Sequence, residues 1–196
     1  CSTLESIPEG LFDKNIEVTS FRYCFQGCKK ILNIPTGLFD KNINVTSFYC
    51  CFQGCSTLES IPEGLFDKNI EVEVFNACFS SCTNLKEIPE GLFNNNKKAT
   101  NFMTCFSFCP NVTLNKNIFS NEGNTDRFSG MNMLFNYCFQ NAGEQNENPG
   151  EAPELWKYKR GSSTWNTTGC FYNAKATNLT SNNEYNTEWG TPLNWN

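Results

Sequence analysis

The stretch Cys1-Ser-Thr-Leu-Glu-Ser-Ile-Pro-Glu-Gly-Leu-Phe-Asp-Lys-Asn-Ile-Glu-Val18 recurs without a change from Cys55 to Val72. Looser copies begin at Cys28 and Cys82, and Cys1, Cys28, Cys55, Cys82 and Cys109 are each 27 residues apart. Other positions keep the same step: Pro8, Pro35, Pro62 and Pro89; Gly10, Gly37, Gly64 and Gly91; Phe12, Phe39, Phe66 and Phe93. So do four in a block: Phe21, Cys24, Phe25 and Cys28, then Phe48, Cys51, Phe52 and Cys55, then Phe75, Cys78, Phe79 and Cys82, then Phe102, Cys105, Phe106 and Cys109. A fixed period in the twenties with apolar columns predicts a solenoid, because one such unit cannot close its own core and must share it with its neighbours.

Within a unit, Val18, Phe21, Phe25 and Cys28 are spaced by 3, 4 and 3 residues, which predicts a short helix over 18–27 with these side chains on one face. Leu4 and Ile7 precede a Pro, which disfavours helix in the residue before it, so a short strand is expected over 4–7 and a parallel ladder from its copies. Pro-Glu-Gly and Asp-Lys-Asn read as turns. Strand rows about 4.8 Å apart and helix rows about 8–10 Å apart would bend the stack with the strands inside.

The register decays after Cys109. Phe135, Cys138, Phe139 and Ala142 restate the helix columns after an extra stretch near 120–129, and Cys170, Phe171 and Ala174 restate them again. Ala152-Pro153-Glu154-Leu155-Trp156 echoes Ile-Pro-Glu-Gly-Leu-Phe without its Gly. The expected organisation is a repeat region over 1–174, regular over 1–109 and degraded with insertions over 110–174, followed by a C-terminal cap over 175–196 that holds Trp189 and Trp195. Cys1 is in phase with the repeat, so the chain is expected to be a segment of a longer protein, without an N-terminal cap of its own.

The pattern Val-Thr-Ser-Phe-x-x-Cys-Phe-x-Gly-Cys-x-x-Leu-x-x-Ile-Pro-x-Gly-Leu-Phe resembles the BspA-like branch of the leucine-rich-repeat proteins of bacterial cell surfaces. The resemblance covers 1–109 strongly and 110–174 in degraded form, with Phe and Ile where many leucine-rich repeats have Leu. It implies an α/β repeat: a right-handed, leucine-rich-repeat-like solenoid with short parallel strands on one side and short helices on the other. It also implies a secreted or surface-attached parent and a role in adhesion or recognition, with a protein or glycan of a host or neighbouring cell as partner.

Composition narrows the chemistry. The 196 residues include 12 Cys and 18 Phe, carry a formal charge of -5, and contain no His. Without His there is no Ser-His-Asp or Cys-His catalysis and no His-ligated metal. The acidic balance argues against nucleic acid, which needs a basic excess to displace counterions. No run of 18 apolar residues is present, so no helical membrane insertion of this segment is expected. Neither an enzyme activity nor a cofactor is expected, and a monomer is.

Twelve Cys in an exported chain suggest disulfides, but Cys24 and Cys28 would sit i, i+4 on one helix with near-parallel Cβ vectors, a poor bridge. Ala142 and Ala174 also replace one partner where Cys138 and Cys170 persist. Buried reduced thiols are favoured, with disulfides as the alternative and a metal cluster a remote third; Cys50, off the columns, is expected to be exposed. The Phe columns read as core. Asp13-Lys14-Asn15 and its copies read as stacked Asn turns, Glu9, Glu63 and Glu90 as a solvated edge, and Trp156, Trp165, Trp189 and Trp195 as cap core, with a carbohydrate-stacking patch as the alternative. The Asn-x-Ser/Thr triplets at Asn44, Asn111, Asn166 and Asn178 are chance matches in an Asn-rich chain. The candidate binding residues are those that vary beside the strand core: Glu5, Ser6, Asn33, Glu59, Ser60, Lys86 and Glu87. The near-perfect copying of units favours the alternative of a structural spacer, and the loop-like stretch 140–153 reads equally as a functional loop and as disorder or surface decoration.

Overall fold

The computed structural model describes residues 2–119 and 125–179. Cys1, Ser120, Trp189, Trp195 and all but the first five residues of the expected cap at 175–196 lie outside them. Successive coils pile up in register. Parallel bridges join Ser20 to Ser47, Ser47 to Val74 and Val74 to Asn101, each 27 residues on, then Asn101 to Leu134 and Leu134 to Asn166 across longer coils.

The helix expected over 18–27 is not there. Among the described residues the one helical element is a 3-10 turn, Leu155–Lys157. In its place each coil makes two consecutive β-turns. The N–H of Cys24 donates to the carbonyl of Phe21 at 3.2 Å and that of Cys28 to Phe25 at 3.1 Å. The third residue of each turn, Tyr23 at φ 60° and Gly27 at φ 67°, is left-handed, a conformation no α-helix accommodates. The intervening N–H groups leave the coil: those of Phe21, Tyr23, Phe25 and Gly27 donate to Ser47, Tyr49, Cys51 and Gln53 of the next coil at 2.8–2.9 Å. The physical reason is economy of backbone. A helix would close its bonds internally and hold its neighbour about 8–10 Å away. Paired turns leave every second N–H free to bond along the stack, so coils approach at sheet spacing and like side chains touch. A 3-4-3 apolar spacing fits both structures.

That close approach builds the core. Phe25, Phe52, Phe79, Phe106, Phe139 and Phe171 form one file, with neighbouring ring centroids 5.2–5.8 Å apart and planes within 10° of parallel. Phe21, Phe48, Phe75, Phe102 and Phe135 form a second at 5.5–5.9 Å. Phe12, Phe39, Phe66, Phe93 and Phe119 form a third at 5.6–6.2 Å. Each ring buried this way contributes on the order of 1.5–3 kcal/mol. Because all three files have nearly equal spacing, the unequal rows expected to bend the stack are absent.

The strand expected over 4–7 shrinks to single bridges, Asn33 to Ser60 and Glu87 to Thr113. Glu59 N–H reaches Leu32 at 2.9 Å, Lys86 reaches Glu59 at 3.1 Å and Thr113 reaches Lys86 at 2.7 Å. Two residues further on, Pro35, Pro62 and Pro89 have no N–H to extend the ladder.

The turn after the third Phe file is sewn by a buried Asn ladder. Asn42, Asn69 and Asn96 are at most 1% exposed. The Asn69 amide donates to the carbonyls of Phe39 at 3.1 Å and Asn42 at 2.9 Å, and Asn42 and Asn96 do the same one coil either side. The stacked-Asn expectation for the Asp-Lys-Asn turns thus takes concrete form. The stretch after Gln140 folds back onto the ladder side. Leu114 N–H donates to Pro149 at 2.8 Å, Leu114 bridges Gly150, and Asn146 donates to Asn111 and Thr113.

All eleven described cysteines are free thiols, and ten of them are buried. The exception is Cys24, on the first coil. Cys50, expected to be exposed, is 4% exposed: it occupies the left-handed corner of the first turn at φ 53°, hydrogen-bonded to Tyr49.

Candidate functional site

The seven sequence-predicted binding residues do come together. Glu5, Leu32, Glu59 and Lys86 occupy one row of successive coils, and Ser6, Asn33, Ser60 and Glu87 the adjacent row. Their polar groups are largely turned on one another. Ser60 donates to Asn33 at 2.9 Å, Lys86 pairs with Glu59 at 2.5 Å, and Lys30 pairs with Glu5 at 2.8 Å. Such exposed pairs contribute little to stability, about 0–1 kcal/mol each. They also leave this surface electrically self-matched, so the row offers a ligand little uncompensated charge beyond Glu87.

A shallow groove of about 480 Å³ crosses the first two coils, lined by Glu9, Asp13, Thr36, Asp40 and Lys41 with Gly10 and Gly37. It is open to solvent and repeats the turn chemistry of each coil. Among the described residues no three Cys, Asp or Glu side chains are grouped to hold a metal ion. Trp165 packs on Phe128 and Phe135 at 5.8 Å each, and Trp156 on Phe171 at 6.1 Å, so both are half-buried rings packed against the core. The amides of Asn44, Asn111 and Asn178 donate to backbone carbonyls of Ile16, Thr83 and Ala152.

The paired-turn side makes a third surface, which sequence reasoning missed. It comprises the outward residues of six octapeptides: 20–27, 47–54, 74–81, 101–108, 134–141 and 166–173. Arg22 is the only charged residue in all six, although charged residues make up 18% of the chain. That absence was the available signal. At one end Tyr23 and Tyr49 meet edge to face at 5.1 Å, with the Arg22 guanidinium 4.8 Å from the Tyr49 ring. The hydrogen bond with Tyr23, helped by the nearby Cys50, pushes the Tyr49 phenol up to about 12. Gln26 donates to Gln53 at 2.6 Å. In the middle the side chains are short: Ala77 is 5% exposed, and Ser80 pairs with Ser107 at 3.0 Å between their hydroxyls. At the other end Phe108, Tyr137 and Tyr172 stand out, 49%, 39% and 39% exposed. The face is a low floor between two aromatic posts.

No family model matches the chain, and no curated protein matches it in sequence. Among solved structures it is similar to a leucine-rich repeat protein from Bacteroides ovatus, at 19% identity over 78% of this chain, with a TM-score of 0.29. The match spans 42% of that protein's length.

Proposed function

We propose that this chain is a non-catalytic binding module of a bacterial cell surface, recognising a protein or glycan of a host or neighbouring cell. One observation carries the reading. The backbone of each coil is bonded to its neighbours along both the bridge ladder and the paired-turn side, which leaves a stiff frame whose outward rows differ from coil to coil. Rigid elements hold contact residues in place better than loops do. The carboxylates that approach one another across the first two coils line an open groove, not an enclosed site where an acid and a base could differ in environment. The BspA-like repeat pattern supports the extracellular placement. Buried thiols also suit it, since a thiol without solvent access resists oxidation.

The identity of Cys1–Val18 with Cys55–Val72 favours a second reading, a stalk that holds another part of a longer protein away from the cell. Probing arrays of extracellular-matrix proteins and glycans with the full chain separates the two. Saturable binding to a defined class of ligand is the expected result. A folded monomer that binds nothing on either array leaves the stalk.

A further inference from the structure

We infer that the paired-turn face binds a neutral oligosaccharide lying along the stack, one end stacked on the Tyr23–Tyr49 pair and the other on the separately exposed rings of Phe108 and Tyr137. This rests on the binding-module reading and assigns it a face and a ligand class.

Charge comes first. A ligand with formal charge would meet nothing of opposite sign here except Arg22, which is itself held over the Tyr49 ring. The chain as a whole carries -5, so acidic glycans and nucleic acids are repelled. The chemistry that remains is aromatic rings, amides and hydroxyls. Rings of Tyr and Phe offer flat apolar faces at little entropic cost, and exposed amides such as Gln26 and Asn173 supply adaptable hydrogen bonds, while Ser80 and Ser107 are buried and bonded to each other. A neutral sugar presents the complement: apolar C–H faces that stack on rings, and hydroxyls that both donate and accept.

The backbone excludes the main rival. A peptide adding as a strand needs free N–H and C=O groups at an edge. On this face the alternating N–H groups are already bonded to the next coil, as with Cys50 to Asn76 and Phe52 to Cys78 at 2.9 and 2.8 Å. A folded protein partner would need a buried apolar anchor pocket, whereas the floor is Ala77, Ser80 and Ser107. Shape fits as well. Tyr23 and Tyr49 stand on the first two coils and Phe108 and Tyr137 on the fourth and fifth, so the posts lie two to four coils apart, roughly 10–20 Å at sheet spacing, with the low third coil between them for an extended sugar chain to cross.

The posts can be removed without harm to the fold. Tyr23 and Phe108 both sit at left-handed φ, 60° and 57°, and Phe108 lies in the column that Gly27 and Gly54 occupy. Glycine is favoured at such positions, so Tyr23→Gly/Phe108→Gly should unfold no more readily than the parent chain. The experiment probes the full chain against immobilised neutral oligosaccharides of glucose, mannose and galactose, with sialylated and sulfated glycans and matrix proteins alongside. The expected result is retention on at least one neutral class, weakened tenfold or more in the double variant and unchanged in Glu59→Ala/Lys86→Ala. Binding lost in Glu59→Ala/Lys86→Ala but kept in the double glycine variant overturns the inference and leaves the binding module standing, as does binding to protein or acidic glycan alone. Retention on nothing overturns both.

Discussion

The Sγ of Cys82 donates to the carbonyl oxygen of Phe52, one coil earlier, at 3.2 Å. Cys55 and Phe25 repeat the contact at 3.1 Å, and Cys109 and Phe79 at 3.2 Å. The thiol therefore does two things in its column: it fills a small buried space and gives a turn carbonyl a second donor. Cys82→Ala should cost about 1–2 kcal/mol in urea unfolding, from a lost weak hydrogen bond and a small void. Ala142 and Ala174 occupy the same column in the last two coils, which sets an upper limit on how much any one thiol matters.

Burial raises these thiols, and the sign of the resulting pH dependence follows. Desolvation holds Cys78, Cys82 and Cys105 well above the usual thiol value and pushes Cys55 and Cys109 up to about 12. A group raised in the folded state binds its proton more tightly there than in the unfolded chain. Its stabilising share is complete below the unfolded pKa near 9 and is lost as pH rises toward the folded value. Stability should be flat with respect to thiol titration through neutral pH and fall steadily above about pH 9, as measured by urea midpoints from pH 7 to 11. A decline already complete by pH 8 would speak against buried neutral thiols.

Thiol counting gives an independent check. In a Cys1→Ser background, a bulky disulfide reagent at pH 8 should modify Cys24 first and reach all eleven described thiols only after denaturation. Few reactive thiols in both states would mean that disulfides exist.

Two glycines separate backbone strain from space. A Cβ on Gly150 would lie 2.1 Å from the carbonyl oxygen of Leu114, at φ 73°; one on Gly27 would meet nothing within 4 Å, at φ 67°. Gly27→Ala should cost about 1–2 kcal/mol for the left-handed conformation alone. Gly150→Ala carries that cost and also breaks the contact that ties the stretch after Gln140 to Leu114, so its melting temperature should fall further.

Much of this was legible in the sequence, and the reason is the period. Phe25, Phe52 and Phe79 share a column because the chain repeats every 27 residues, and that alone set the stacking, the core and the Asn turns. The local conformation was less legible. Phe21, Cys24, Phe25 and Cys28 have the spacing of a helix face and equally of two four-residue turns; Gly27 and Gly54 were the contrary sign, since a left-handed glycine ends a helix. Cys50 was misplaced because its burial depends on the turn corner, which the column count does not reveal. The candidate binding residues are those that vary between units. Variation at Glu59 and Lys86 turned out to include compensation, one pairing with the other at 2.5 Å, while the uncharged face declared itself only by what it lacks.

The account stands on coils in direct contact, like ring over like ring, and a crystal structure of the chain tests that most directly. It predicts Phe25, Phe52 and Phe79 with ring centroids 5.2 and 5.5 Å apart, planes nearly parallel, and left-handed backbone at Tyr23 and Gly27. A helix over 18–27, with neighbouring rows about 8–10 Å apart, would contradict it.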